Sequence, residues 1–159
     1  MPDGTVTVKM AEIGYAADGG VLKTTLGSCV GVILRDRERR VAGLAHVMLP
    51  QRLHPNDPPA KAADSGVPAL LAGVESRGGR RAALEAWLVG GACMFPVEHG
   101  GIASIGARNV EEARRQLGGI GVPVVFEEVG GTCGRTVTFE PATGAVSVRT
   151  LAPVAEVKS

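Results

Sequence analysis

The sequence of 159 residues has few aromatic side chains and almost no excess of either charge. Aromatic residues make up 3% of it, and 17 Lys and Arg face 16 Asp and Glu for a net charge of +1. Proteins that bind nucleic acid or an anionic membrane need a basic surface, and single-strand binders also use aromatic rings as stacking platforms. The composition therefore argues against nucleic acid and membrane surfaces as partners.

Long apolar runs and a basic leader are also missing. No stretch approaches the roughly 18 apolar residues that a membrane helix needs, and the first five residues contain no basic segment followed by an apolar one. We therefore expect a cytoplasmic protein without membrane insertion. The length suits one domain, predicted over residues 1–159 with its core at about 20–151 and a loose tail after residue 153.

Cysteine is scarce, and its number is odd. Cys29, Cys93 and Cys133 cannot form a complete disulfide framework, and the chain has no secretion signal, so at least one free thiol is expected. There is no Cys-x-x-Cys or other closely spaced ligand pair, which makes a zinc site improbable. Cys93 and His99 form a second cysteine–histidine pair, although packing beside Met94 and Phe95 is the preferred interpretation of Cys93.

The apolar runs that are present predict a sheet with helices on its outside, an α+β fold. A polar, proline-rich loop at 51–59 and glycine pairs separate the elements. One helix is predicted at 68–76, with an earlier start at 61 left open, and a second from Asn109, whose side chain would cap it with Glu112 three residues on. The predicted strands span 20–26, 29–34, 41–49, 84–89, 122–129, 135–139 and 145–151.

The strands that contain Cys29 and His46 are joined by a short polar connection at 36–39. If Arg35 and Arg40 close this hairpin, Cys29 lies directly opposite His46, with Cβ atoms roughly 4.5 to 5.5 Å apart. The like charges of that closing pair argue mildly against this register. At such a distance an imidazole can take a thiol proton, so the hairpin predicts a cysteine nucleophile with its base.

Several blocks of sequence also carry a resemblance to a known family. The strongest are Leu26-Gly27-Ser28-Cys29-Val30 and Ala45-His46-Val47-Met48-Leu49-Pro50. Supporting blocks, in order along the chain, are Lys61 with Ala63-Asp64, Gly90-Gly91-Ala92 with Met94-Phe95, Ile105-Gly106 with Arg108-Asn109, Gly130-Gly131 with Gly134-Arg135, and Thr143-Gly144. From about Leu22 to Leu151 the chain resembles the CheD-type chemoreceptor glutamine deamidases of bacterial and archaeal chemotaxis.

The resemblance implies a fold, an activity and partners. The fold is a layered α/β/β/α sandwich of mixed sheets with helices packed outside. The activity is hydrolysis of glutamine side chains on chemoreceptor cytoplasmic helices, with Cys29 as nucleophile and His46 as base. A threonine on the preceding strand orients the histidine; Thr25 is the predicted residue, with Thr24 and Lys23 as alternatives. A CheC-type phosphatase of the response regulator is a second implied partner.

The chemistry of amide hydrolysis suits these residues without a metal or organic cofactor. A neighbouring imidazole can lower a thiol pKa by forming an ion pair, and the tight turn at 26–29 can present backbone N–H groups to an oxyanion. Receptor methylesterase activity would pass through the same acyl-enzyme. Two other classes stay open: a non-catalytic adaptor that regulates a CheC-type phosphatase, and a toxin-like deamidase of another cysteine type.

Overall fold

A computed structural model describes residues 4–93 and 104–151, and this part of the chain forms nine strands and two α-helices. The helices are α1 (Ala63–Ser76) and α2 (Ile105–Ile120). The strands are β1 (Thr5–Thr7), β2 (Ile13–Ala16), β3 (Val21–Leu26), β4 (Val30–Asp36), β5 (Val41–Val47), β6 (Leu84–Gly90), β7 (Val124–Val129), β8 (Arg135–Glu140) and β9 (Ala145–Thr150).

The strands form two mixed sheets that stack face to face. One has four strands in the order β1-β3-β8-β9, and the other has five in the order β2-β5-β4-β6-β7. Each sheet is antiparallel apart from one edge pair, β1 with β3 and β6 with β7, which run parallel. Consecutive strands β3 and β4 belong to different sheets, so the chain crosses between the layers at residues 27–29.

An apolar layer fills the space between the sheets. Trp87 of β6 meets Phe139 of β8 edge to face, with ring centroids 4.6 Å apart. The other buried residues of this layer are Val8, Leu22, Leu26, Ile33, Ala42, Leu44, Val89 and Val137. Apart from Val8, which follows β1, they lie on strands and fall on the alternate positions that face one side of a sheet.

Both helices cover the opposite face of the five-stranded sheet. Val30, Val32 and Leu34 of β4 turn toward them, and the two helices also pack against each other. Because β4 is covered on both faces, its sequence is a nearly continuous apolar run. The predicted α+β class, with stacked mixed sheets and helices outside, is confirmed; within the described ranges both helices lie on the five-stranded sheet.

Several predicted boundaries were wrong. Strands β1 and β2 precede the expected start of the core at about residue 20. For helix α1, the earlier start that the sequence left open is the one observed: the helix begins at Ala63, and Pro68 lies inside it. Helix α2 begins before Asn109, because the Ser104 side chain accepts the N–H of Ala107 and caps the helix. The predicted tail and the residues 94–103 lie outside the described part.

The hairpin register differs from the prediction by two residues. Val41 pairs with Asp36, and His46 therefore lies opposite Gly31 instead of Cys29. The reason is the buried Asp36, whose Oδ1 accepts the N–H groups of Glu38 and Arg39 at 2.8 Å and shapes a turn over residues 37–40. A two-residue shift keeps each side chain on its face, so Cys29 and His46 still share one side of the sheet.

Candidate active site

His46 is buried on β5, with 3% of its surface exposed, and its ring faces the four-stranded sheet. Opposite it on β3 is Thr24, which is 2% exposed. Thr24 Oγ1 lies 2.8 Å from His46 Nδ1 and 2.6 Å from the carbonyl oxygen of Val8. The hydroxyl therefore connects the imidazole to the backbone of the segment after β1.

These two contacts determine which ring nitrogen carries the proton. A hydroxyl has one hydrogen to donate, and the Val8 carbonyl can only accept. Thr24 therefore donates to Val8 and accepts from His46 Nδ1–H. In the neutral ring the other nitrogen, Nε2, then has a free lone pair and can act as a base.

Thr25, the predicted orienting residue, does not contact His46, and that prediction was wrong. Its side chain is exposed on the outer face of the four-stranded sheet, where its hydroxyl lies 3.2 Å from Thr136 Oγ1. Lys23, the other alternative, is exposed on the same face. Thr24 has the inward parity of the apolar residues Leu22 and Leu26 on either side of it, and this pattern in the sequence could have identified it.

Cys29 comes one residue before β4, at the crossing between the sheets. It is partly buried and packs against the apolar layer between them, on the face to which His46 also points. The residue directly opposite His46 is Gly31, which carries no side chain. No side chain from β4 therefore stands between the imidazole and the cysteine two residues earlier.

The turn at 27–29 has its carbonyl groups anchored in the protein. The Gly27 carbonyl accepts from Ala92 N at 3.0 Å, that of Ser28 from Asn109 Nδ2 at 3.1 Å, and that of Cys29 from Gly91 N at 2.8 Å. The backbone N–H groups of the same three residues donate to no other described residue. Among the residues that the structure describes, the turn therefore holds backbone donors without an acceptor beside the thiol.

Two glycines behind this turn make its close packing possible. Gly90 and Gly91 have φ values of +110° and +68°. A Cβ on Gly90 would lie 2.4 Å from the Cys29 carbonyl oxygen, and one on Gly91 would lie 2.4 Å from Val110 Cγ2. The pair therefore supports the cysteine turn by close backbone approach, which only glycine allows here.

Burial shifts both candidate groups toward their neutral forms. It raises the pKa of the Cys29 thiol. It also lowers the pKa of His46, against a smaller opposing effect of the Val8 carbonyl. The sequence led us to expect a thiol pKa lowered by a resident ion pair. Burial instead shifts both groups in the direction that favours a neutral thiol and a neutral imidazole.

The other two cysteines follow the glycine-rich segments at 90–91 and 130–131. Cys93 and Cys133 are partly buried free thiols, and Cys93 N donates to the Gly131 carbonyl at 2.9 Å. His99, with which Cys93 could pair, lies outside the described residues, as do Met94 and Phe95. Within 4–93 and 104–151, no three His, Cys, Asp or Glu side chains gather as they would around a metal ion.

Comparison with known proteins adds an independent finding. The family model for CheD, described as chemotactic sensory transduction, matches residues 48–150, which is more than half of the chain. The chain belongs to the CheD family. The match begins after His46, so neither Cys29 nor His46 lies within it.

Curated relatives extend the CheD likeness over most of the chain. A probable chemoreceptor glutamine deamidase CheD of Geobacillus kaustophilus is 46% identical over 92% of this chain and 93% of its own length. The chemoreceptor glutamine deamidase CheD of Halalkalibacterium halodurans is 39% identical over the same shares. A probable CheD of Methanococcus maripaludis is 40% identical over 89% of this chain and 92% of its own length.

A search of solved structures found a more distant likeness. The hypothetical protein YfiH of Bacillus licheniformis is 14% identical and superimposes with a TM-score of 0.45 over 79% of this chain and 58% of its own. For the CheD chain itself, neither described helix is long and apolar enough to cross a membrane.

Proposed function

We propose that the protein is a cysteine hydrolase, a protein-glutamine glutaminase that converts glutamine side chains of chemoreceptors to glutamate in chemotactic adaptation. The observation that carries the proposal is the Thr24–His46 hydrogen bond, which leaves Nε2 as a base on the face shared with Cys29. The names of the curated relatives support the substrate class. Cys29 is the proposed nucleophile, His46 the base, and Thr24 the residue that orients His46.

The first half of the reaction forms a thioester. His46 Nε2 takes the thiol proton as Cys29 Sγ attacks the side-chain amide carbon of the substrate glutamine, and the carbonyl becomes an oxyanion. The imidazolium then gives that proton to the amide nitrogen, the carbon–nitrogen bond breaks, and ammonia leaves. Thr24 Oγ1 accepts the hydrogen bond from His46 Nδ1–H during both proton transfers, so the ring keeps its orientation.

The second half restores the enzyme. His46 takes a proton from water as the water oxygen attacks the thioester. The carbon–sulfur bond then breaks, the imidazolium returns that proton to the Cys29 sulfur, and the new carboxyl group loses its own proton to water as glutamate. In both halves the unused N–H groups of Ser28 and Cys29 are the proposed donors to the oxyanion. A methyl ester of a receptor glutamate would form the same thioester with methanol as leaving group, which is the proposed basis of any methylesterase activity.

The neutral resting pair has a consequence for the mechanism. Because burial raises the pKa of Cys29 and lowers that of His46, little thiolate is present before substrate binds. Proton transfer is then part of the attack itself. A thiol of this kind reacts slowly with bulk electrophiles, so specificity depends on contacts that position the correct amide.

A glutamine on an exposed receptor helix is the proposed substrate, and free glutamine is expected to be a poor one. Remote contacts with the helix supply the binding energy that positions the amide, and a free amino acid lacks them. Because the proposed substrate helices are cytoplasmic, the activity is proposed to be cytoplasmic as well. Binding to a CheC-type phosphatase is a further proposal, which stands on the family resemblance.

The test is a peptide map of a chemoreceptor cytoplasmic fragment from the same genome after incubation with the protein. Glutamine-to-glutamate conversion at discrete helix sites, absent with Cys29→Ala, is the expected result. Conversion that continues unchanged with Cys29→Ala would contradict the assignment of the nucleophile. No conversion, together with tight binding of a CheC-type phosphatase, would favour the adaptor.

A further inference from the structure

Asn109 is a fully buried polar residue in the interior of α2, at 0% exposure. Because Ser104 caps the helix, Asn109 has no capping role. Its side-chain nitrogen lies 3.1 Å from the Ser28 carbonyl oxygen and 3.2 Å from that of Met48. One amide group therefore reaches the residue before Cys29 and the residue two after His46.

The two contacts leave one orientation for this amide. Both acceptors are carbonyl oxygens, so each must receive one of the two Nδ2 hydrogens. The reversed amide would place Oδ1 against two other oxygens. In the observed orientation Oδ1 receives no hydrogen bond within the described residues. The side chain therefore binds both carbonyls while its own acceptor is left without a donor there.

The bond to Ser28 controls the direction of a neighbouring donor. The Ser28 carbonyl and the Cys29 N–H belong to the same peptide unit, which is planar and trans, so they point in opposite directions. Fixing the carbonyl toward Asn109 therefore aims the Cys29 N–H away from the helix. That N–H donates to no other described residue, and it adjoins the nucleophilic sulfur.

The second hydrogen bond of Asn109, to the Met48 carbonyl, connects its side chain to the strand that carries His46. Met48 follows β5 directly, and its own N–H donates to the Lys61 carbonyl at 2.8 Å. Its position is thus held from both sides. Asn109 joins this point to the cysteine turn, so the nucleophile and the strand of His46 are fixed relative to each other through one side chain.

We propose that Asn109 is a positioning residue that aims the Cys29 N–H at the oxyanion formed during glutamine hydrolysis. This inference rests on the proposed function and adds a named residue to it. An oxyanion donor acts mainly in the transition state, so its misalignment lowers kcat and leaves KM nearly unchanged. The thiol itself is untouched, so its reactivity toward a small alkylating agent should not change.

The test compares Asn109→Leu with two controls on the same receptor fragment. The Leu side chain keeps the volume and removes both donors, and kcat is expected to fall about 10²-fold, the effect of losing one oxyanion donor. Asn56→Leu changes the other asparagine, which is exposed, and should retain parental kcat. Leu117→Ala destabilises the distant end of α2 and shows how much activity is lost through stability alone.

A second measurement needs no activity. The backbone amide signal of Cys29 in a nitrogen–proton NMR spectrum should move more in Asn109→Leu than in Leu117→Ala, since only the former frees the peptide unit. If Asn109→Leu does not fold, hydrogen exchange of the side-chain amide protons in the unmutated protein is measured instead. The side-chain protons of Asn109 should exchange far more slowly than those of Asn56.

The outcomes separate this inference from the proposed function. An unchanged kcat in folded Asn109→Leu, or a loss equal to that in Leu117→Ala, overturns the inference while the function stands. If the unmutated protein converts no receptor glutamine, the proposed glutaminase function is rejected. In that case the positioning role of Asn109 is also rejected if the Cys29 amide signal does not shift in Asn109→Leu, or if the side-chain amide protons of Asn109 and Asn56 exchange at equal rates.

Discussion

Replacing Thr24 with valine tests the assignment of the histidine tautomer. Valine keeps the β-branched shape but removes the hydroxyl that accepts from His46 Nδ1 and donates to the Val8 carbonyl. Without that acceptor, the ring can place its proton on Nε2, and it then cannot take the thiol proton. We expect a folded protein with reduced turnover.

The magnitude follows from two buried hydrogen bonds. Each buried partner left without a hydrogen bond costs roughly 1 to 3 kcal/mol, and two are left here, so Thr24→Val should lower the free energy of unfolding by about 2 to 6 kcal/mol. Loss of about 1.4 kcal/mol of preference for the active tautomer lowers kcat/KM about tenfold. Denaturant unfolding and initial rates of receptor deamidation measure the two effects.

The neighbouring threonine is the matched control. Thr25→Val removes an exposed hydroxyl and should change the unfolding free energy by less than about 0.5 kcal/mol and leave the rate unchanged. Thr24→Ser keeps the hydroxyl and should retain most activity. A larger loss of activity in Thr25→Val than in Thr24→Val would refute the assignment.

Three further predictions concern the thiol, the base and the glycines. Cys29→Ser should abolish turnover without changing the melting temperature, and Cys93→Ala should keep most activity. The reverse pattern in folded variants would assign the nucleophile to Cys93. Because burial lowers the pKa of His46, its basic form persists below the ordinary pKa of about 6.5. The acid limb of a pH–rate profile should therefore lie below that pH. A rate that has already fallen to half at a higher pH would contradict His46 as the base. Gly90→Ala should destabilise the fold, since its Cβ would meet the Cys29 carbonyl oxygen at 2.4 Å, whereas Gly119→Ala, on an open helical surface, should be neutral or stabilising in denaturant unfolding.

The elements with strong periodicity were predictable from the sequence. The strands of the Cys29 and His46 hairpin, and the later strands, carry β-branched and apolar runs between turn residues. Strands β1 and β2 were missed because they are three and four residues long and mostly exposed or half-buried, so they lack a clear apolar pattern. Their placement depends on pairing with β3 and β5.

At the site, the residue types were predictable and the contacts were not. Cys29 and His46 were brought to one face by strand parity alone, which a two-residue register shift preserves. The register itself depends on Asp36, whose turn bonds are not evident from the strand pattern. Asn109 was assigned to a cap because Ser104, the actual cap, follows a stretch without periodicity, and its contacts with Ser28 and Met48 are distant in sequence.

The most direct test of a thioester on Cys29 is partitioning with hydroxylamine during reaction with the receptor fragment. An acyl-enzyme can be attacked by hydroxylamine instead of water, so the parent should form hydroxamate and glutamate at the same glutamines, in a ratio that rises with hydroxylamine concentration. Cys29→Ala should form neither product. Glutamate formation without hydroxamate in the parent, or equal conversion by Cys29→Ala, would contradict a covalent mechanism through this cysteine.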